Sequence, residues 1–255
     1  MDQAKRLINA ILRPAGLTVT RISTLASPPA RYAFEIDETF RGVFREGVSA
    51  SGSTHDPNKI HKRMYNAVQF LRHTRDLCGA VAECGAFQGL SSFVFCEFIR
   101  LDAPDFKGEG YHVFDSFSGL STPTAPDHPV NPAAGAGAPT YRRAGAFQAT
   151  LETVRNTLRD YPAIAYHPGW IPDSLAGVPD RQYRFVHLDL DLYEPTKGAL
   201  AYFYPRMIQG GIIVVDEYGV LRWPGARLAV DEFCREHGVT PAVSLTTGNG
   251  ALIKK

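Results

Sequence analysis

The chain has 255 residues, 44% of them hydrophobic and 21% charged, with a formal net charge of +1. That length suits one α/β domain with a sizeable core and an N-terminal extension. The near-neutral balance gives no basic field for nucleic acid, and no apolar run is long enough for a transmembrane segment. The four cysteines, Cys78, Cys84, Cys96 and Cys234, form no C-x-x-C pair. They read as buried free thiols of a reducing cytoplasm, not as a zinc site or disulfide framework.

In chain order, MDQAKRLINAILRPAG is short and amphipathic and lacks the features of a signal peptide. It reads as a helix packed on the domain and as a candidate for self-association into a homo-oligomer. Residues 1–55 are read as a helical extension or lid, and residues 56–255 as the main domain. Asp56 can cap the next helix and Pro57 suits its first turn. Ile60, Met64, Ala67, Val68 and Leu71 then share one helical face.

From there strands and helices alternate. CGAVAEC, GYHVFD, AIAYH, YRFVHLDL and GGIIVVDE read as buried strands. SSFVFCEFIRL, FQATLETVRNTLRDY, PTKGALAYFYPRM and ARLAVDEFCREHG read as the helices between and after them. TPAVSL and GALIKK read as an antiparallel edge pair. Residues 121–139, rich in Pro, Ala and Gly, form an insertion suited to a lid. The alternation predicts a mostly parallel sheet with helices on both faces, binding ligands at the carboxyl ends of its strands.

Acidic residues stand at those ends. Glu83 precedes a turn in which Gly85 and Gly89 let the backbone pass close to a ligand. The spacing is not G-x-G-x-x-G, and an acid at the strand end would repel a pyrophosphate. Glu83 suits a cationic ligand such as the amino acid end of S-adenosylmethionine; the plainer alternative is a tight turn with a surface glutamate. Asp115 closes the second strand, where a carboxylate can accept both hydroxyls of a ribose. Neither feature alone separates a methyl donor from a nicotinamide cofactor, so a dinucleotide-dependent oxidoreductase stays open at this point.

The strongest pattern is His187-Leu188-Asp189-Leu190-Asp191, followed by Asp216-Glu217. Asp189 and Asp191 read as lying on one face of a strand, where they point the same way. Like charges on a buried strand end are costly unless a cation or proton relieves them. Four carboxylates at adjacent strand ends predict a hard-oxygen site for Mg²⁺ or a similar ion. His187 is either a base or, as such residues more often are, a satisfied strand histidine; His112 and His128 stay open in the same way, and His128, in the insertion, could contact an acceptor.

VAECGAFQGLSSF, VFDSFSGL, GWIPDSL and FVHLDLDLYEPTKGALAYFYPRMIQGGIIVVDEYG together resemble the macrocin O-methyltransferase family, over roughly Asp56 to Lys255. The resemblance implies the class I methyltransferase fold, Rossmann-like, with seven strands of which the last is antiparallel. It implies S-adenosylmethionine as donor and a hydroxyl of a sugar, glycosylated natural product or surface glycan as acceptor; a catechol would suit the same chemistry. Glu83, Gly85, Gly89 and Ser91 would form the methionine side of the donor site. Asp115 and Ser116 would serve the ribose, and Trp170 would lie near the adenine. Asp189, Asp216 and Glu217 would hold the metal, with Asp191 as general base. The family carries Asp-Asp where this chain has Asp216-Glu217, and a lysine is more usual at His167.

Overall fold

The structure, a computed structural model, describes residues 33–54, 57–128 and 143–255. The N-terminal amphipathic segment, the Asp56 cap, the Ile60 side chain and residues 129–139 of the insertion lie outside the described residues. The chain divides into two compact units, Met1–Glu38 and Thr39–Lys255. In the first unit a single helical turn, α1 (Ala33–Ile36), is described.

Helix α2 (Glu38–Ser51) lies within the stretch read as a helical extension, and from Thr39 on it belongs to the second unit. Its Phe40 and Phe44 are buried, and Phe40 packs against Tyr65 and Phe98 with ring centroids 5.0 and 6.3 Å apart. Helix α3 (Pro57–His73) follows, with Met64, Ala67, Val68 and Leu71 buried as their spacing predicts.

The remaining elements alternate: β1 (Ala80–Cys84), α4 (Leu90–Asp102), β2 (Tyr111–Asp115), α5 (Leu151–Thr157), β3 (Ala165–Pro168), β4 (Tyr183–Leu188), α6 (Tyr193–Phe203), β5 (Met207–Val215), α7 (Pro224–Glu236), β6 (Val243–Ser244) and β7 (Gly250–Ile253). They form one seven-stranded sheet in the order β3-β2-β1-β4-β5-β7-β6. The pairs among β1 to β5 are parallel, and β7 runs antiparallel to both β5 and β6. This is the class I methyltransferase arrangement. The expected terminal pair forms, but β7 inserts between β5 and β6, so of the pair only β6 is an edge strand, with β3 at the opposite edge. Apolar runs such as Phe185, Val186 and Leu188 on β4 and Ile212 to Val215 on β5 are buried because helices cover both faces.

Strand order reverses between β1 and β4, which opens a crevice at their carboxyl ends. Hydrogen bonds just past the strand ends level that rim. The Gly85 amide donates to the Phe114 carbonyl, Asp189 to Cys84, Asp216 to Leu188 and Gly169 to Asp115, each at 2.9 Å. The residues after four different strands are thereby fixed in one row.

Candidate active site

A cavity of about 430 Å³ sits on this rim. Of the residues singled out in the sequence, Gly85, Ser91, Asp115, Ser116, Trp170, Asp189, Asp191, Asp216 and Glu217 line it. Glu83 and Gly89 do not.

One half of the cavity is held by the first turn. Gly85 has φ +88, and a Cβ there would overlap the carbonyl oxygen of Asp189, so only glycine allows the β1 turn to pass this close to the end of β4. Asp115 closes the turn from the side. Its Oδ2 accepts the amides of Ala86 (2.7 Å) and Phe87 (3.2 Å), and its Oδ1 accepts that of Phe117 (2.7 Å). Burial pushes the Asp115 pKa up, opposed by those three amides. Ser116 donates to the Gly119 carbonyl at 2.7 Å, and the half-exposed Trp170 donates its indole N–H to the same oxygen at 3.1 Å. Gly89 (φ +86) instead starts α4 with its α-carbon toward α5, where an added Cβ would lie 3.3 Å from Thr157. Thr157 in turn donates to the Gln88 carbonyl at 2.8 Å.

Glu83 corrects the expectation of a ligand-facing acid. The pleat of β1 turns its side chain into the layer under α4, where it is 0% exposed. Ser92 donates to Oε2, Tyr111 does so at 3.0 Å, and His187 Nδ1 lies 3.3 Å from Oε1. His187 is thus a satisfied strand histidine, and it also faces Asp216 Oδ1 at 3.7 Å. Burial would depress its pKa, but its contacts to Asp216 and Glu83 and their negative charges outweigh that and hold it at about 10.

The other half is the carboxylate cluster, and its geometry differs from the strand argument. β4 ends at Leu188, so Asp189 and Asp191 are not both in a strand. Asp191 lies in a turn with φ +60, closed by the Leu192 amide on the Leu190 carbonyl at 2.6 Å. The turn, not the pleat, brings the two acids together. Oxygens of Asp189, Asp191 and Glu217 all lie within 4.8 Å of one another, a set fit for a metal ion. Asp216 is outside this trio. It forms an ion pair with Arg63, and its Oδ1 accepts from Asn249 at 2.7 Å. Burial alone would raise the Asp216 pKa, but Arg63 and His187 hold it down to about 2.

In the trio the opposite holds. Burial, then the charge of Asp216, raises Asp189 to about 6. Burial, with Asp189 and Asp216 beside them, pushes Asp191 and Glu217 well above the carboxylate range. Glu217 Oε1 accepts from Arg63 at 2.5 Å, whereas Oε2 is buried with no hydrogen-bond partner. Such an orphan oxygen among carboxylates is costly unless a cation meets it. The residues present fit a hard divalent ion.

Arg63, Phe87, Phe147, Arg222 and Trp223 also line the cavity, and sequence reasoning missed all five. Phe87, Phe147 and Asp191 share the left-handed backbone region, uncommon for bulky side chains, and such outliers cluster at functional sites. The Phe147 ring lies 6.0 Å from Phe87 and 6.5 Å from Trp223, forming an aromatic wall. His112 and His167 sit apart from the carboxylates; they share a 3.0 Å hydrogen bond, and Arg181 reaches His112 Nε2 at 2.6 Å. Burial lowers the pKa of both, that of His112 to about 4.

A family model described as Macrocin-O-methyltransferase (TylF) matches residues 59–255. Mycinamicin III 3''-O-methyltransferase of Micromonospora griseorubida is 30% identical over 171 residues, 65% of this chain and 64% of that protein. Demethyldecarbamoylnovobiocin O-methyltransferase of Streptomyces niveus is 29% identical over 205 residues, 77% of this chain and 74% of that protein. The chain thus spans a little under two thirds of the length of the mycinamicin relative. Among solved structures, the O-methyltransferase NovP superposes with a TM-score of 0.65 at 24% identity, covering 83% of this chain and 88% of that one. The calicheamicin methyltransferase CalS11 superposes at 0.63 and 18% identity, covering 89% and 99%.

Proposed function

The chain belongs to the macrocin O-methyltransferase family, and on that premise we propose that it moves a methyl group from S-adenosylmethionine to a hydroxyl of a sugar, free or carried by a natural product or surface glycan. The observation that carries this reading is the single cavity joining a glycine turn and Asp115 to a trio of carboxylates. The first half suits the donor and the second a hydroxyl that must lose a proton.

On the donor side, Gly85 lets the methionine portion lie against the turn, with Ser91 beside it. Asp115 and Ser116 meet the ribose, and Trp170 stacks near the adenine. Glu83 and Gly89 act from behind, as supports of the turn.

On the acceptor side, Asp189, Asp191 and Glu217 would hold Mg²⁺ or a similar ion. When bound, such an ion lowers the pKa of a hydroxyl and fixes its direction. Asp216, tied to Arg63, His187 and Asn249, serves as the anchor of that network. Asp191, through the carboxylate oxygen it does not give to the ion, takes the hydroxyl proton as the new O–C bond forms and the C–S bond of the sulfonium breaks. A vicinal diol presents two oxygens to this site, which favours a sugar over a simple alcohol.

Titration calorimetry with S-adenosylhomocysteine and NAD, followed by mass analysis of candidate glycosides incubated with donor and Mg²⁺, tests the reading. Binding of S-adenosylhomocysteine and a one-methyl mass gain are expected. Binding of NAD without S-adenosylhomocysteine would sink it.

A further inference from the structure

Asp127 lies at the start of the insertion, in a one-turn 3₁₀ helix (Ala125–Asp127), and is only 2% exposed. A buried carboxylate must be paid for with hydrogen bonds. Its Oδ2 accepts the Thr124 amide at 2.8 Å and the Thr124 hydroxyl at 3.1 Å. Its Oδ1 reaches 66 residues along the chain to accept the Tyr193 amide at 2.7 Å. Tyr193 is the first residue of α6, and the residue before it, Leu192, offers no side-chain cap. Asp127 therefore supplies from another segment the N-terminal cap that α6 lacks, with a negative charge at the positive end of the helix.

Two residues before that cap stands Asp191 at φ +60. The turn carrying it is fixed at its near end by the Asp189 amide on the Cys84 carbonyl, 2.9 Å. Its far end is fixed by the Thr196 amide on the Leu192 carbonyl, 3.2 Å, and by Asp127 on Tyr193. A third segment closes on the same oxygen. Gly225, in the first turn of α7, has no unusual φ, yet a Cβ there would overlap Asp127 Oδ1 and lie 2.9 Å from the Tyr193 amide. The glycine is required there for space.

We propose that Asp127, seated in the gap left by Gly225, is a positioning residue that holds the Asp189–Tyr193 turn and so sets Asp191 against Asp189 and Glu217. It does not line the cavity. Its effect passes through one backbone hydrogen bond to the trio, and it ties the insertion to the same point. The inference rests on the metal reading of the trio.

The test uses the full chain and three variants, Asp127→Ala, Asp127→Asn and Gly225→Ala. Mn²⁺ and S-adenosylhomocysteine affinities are measured by calorimetry, and amide exchange is followed in a peptide spanning residues 189–196. Loss of a group that orients a ligand typically weakens metal affinity roughly 10–100-fold. Asp127→Ala and Gly225→Ala should each do so, and should speed exchange in 189–196 while S-adenosylhomocysteine affinity stays unchanged. Asp127→Asn keeps the size and one acceptor oxygen and should fall between them and the wild type, which keeps the test readable if Asp127→Ala does not fold. Unchanged Mn²⁺ affinity, equal loss of both affinities, or Asn no better than Ala would overturn the proposal. A wild type that binds S-adenosylhomocysteine and not Mn²⁺ overturns the metal reading instead, and Asp127 then stands or falls on the exchange in 189–196.

Discussion

The two halves of the cavity solve the problem of burying polar groups in opposite ways. The turn after β1 is held by backbone amides on one carboxylate, Asp115, whose oxygens take three N–H bonds. Its carboxylate is satisfied as it stands, and the buried Oε1 of Gln88 is the atom of that turn left without a partner among the described residues. The ends of β4 and β5 instead collect Asp189, Asp191, Asp216 and Glu217. Arg63 and His187 both face Asp216, Arg63 also reaches Glu217, and among the described residues no ion pair reaches Asp189 or Asp191. A half held by backbone is preformed for its ligand, whereas a half of crowded carboxylates is completed by one. Substitutions in the two halves should therefore separate donor affinity from metal affinity.

The largest separation is expected at Asp191. Asp191→Asn should lower kcat on the order of 10²–10⁴-fold if it takes the proton. Donor affinity, measured with S-adenosylhomocysteine, should stay near wild type. A loss of donor binding of comparable size would merge the two halves and break the comparison.

Gly85→Ala attacks the place where the halves touch. The new methyl would meet the Asp189 carbonyl at a φ of +88. We expect about 3 kcal/mol of destabilisation, seen as a fall in Tm of about 10 °C for a domain of this size. It should be the one substitution in the turn that weakens both Mn²⁺ and S-adenosylhomocysteine. A neutral Gly85→Ala would mean that the β1 turn and the end of β4 can separate without cost.

Asp115→Ala strips three amides of their acceptor, and S-adenosylhomocysteine affinity should fall roughly 10–100-fold, as expected for loss of charged hydrogen bonds worth about 1.5–3 kcal/mol. Mn²⁺ affinity should hold. The carboxylate half answers in kind to metal. Mg²⁺ at about 100 times its Kd should add about 2.7 kcal/mol to the stability of the wild type. Thermal unfolding with Mg²⁺ and with chelator checks this; no difference between them would mean the trio binds no ion.

What the sequence made legible follows the same division. Gly85, Asp115 and the strand alternation are local signals, and each carries its meaning within a few residues. The carboxylates were legible as a group, but their partition was not. Asp216 left the trio because Arg63 and Asn249 arrive from distant segments. Asp191 entered it because its backbone turns left-handed after β4 stops. The direction of Glu83 was not legible, because the pleat directs it into Ser92, Tyr111 and His187, partners that come from three other elements. Phe87, Phe147 and Trp223 gave no signal, since an aromatic wall assembled from three segments has no spacing to read.

The smallest effect, and the finest test of the comparison, is expected at Trp170. Its indole is 50% exposed and contributes one hydrogen bond, Nε1 to the Gly119 carbonyl at 3.1 Å. Ser116 already donates to that oxygen at 2.7 Å, so its removal leaves no orphan acceptor. Trp170→Phe keeps a ring for the adenine and loses only the N–H. A solvent-accessible neutral hydrogen bond contributes about 0.5–1 kcal/mol, which is roughly a two- to fivefold change in affinity. S-adenosylhomocysteine binding should weaken by about that factor, with Tm and Mn²⁺ affinity unmoved. If Trp170→Phe costs as much as Asp115→Ala, the donor half depends on an exposed side chain more than on its backbone amides. The contrast between a preformed half and a half completed by its ligand then fails on the side where it is drawn most firmly.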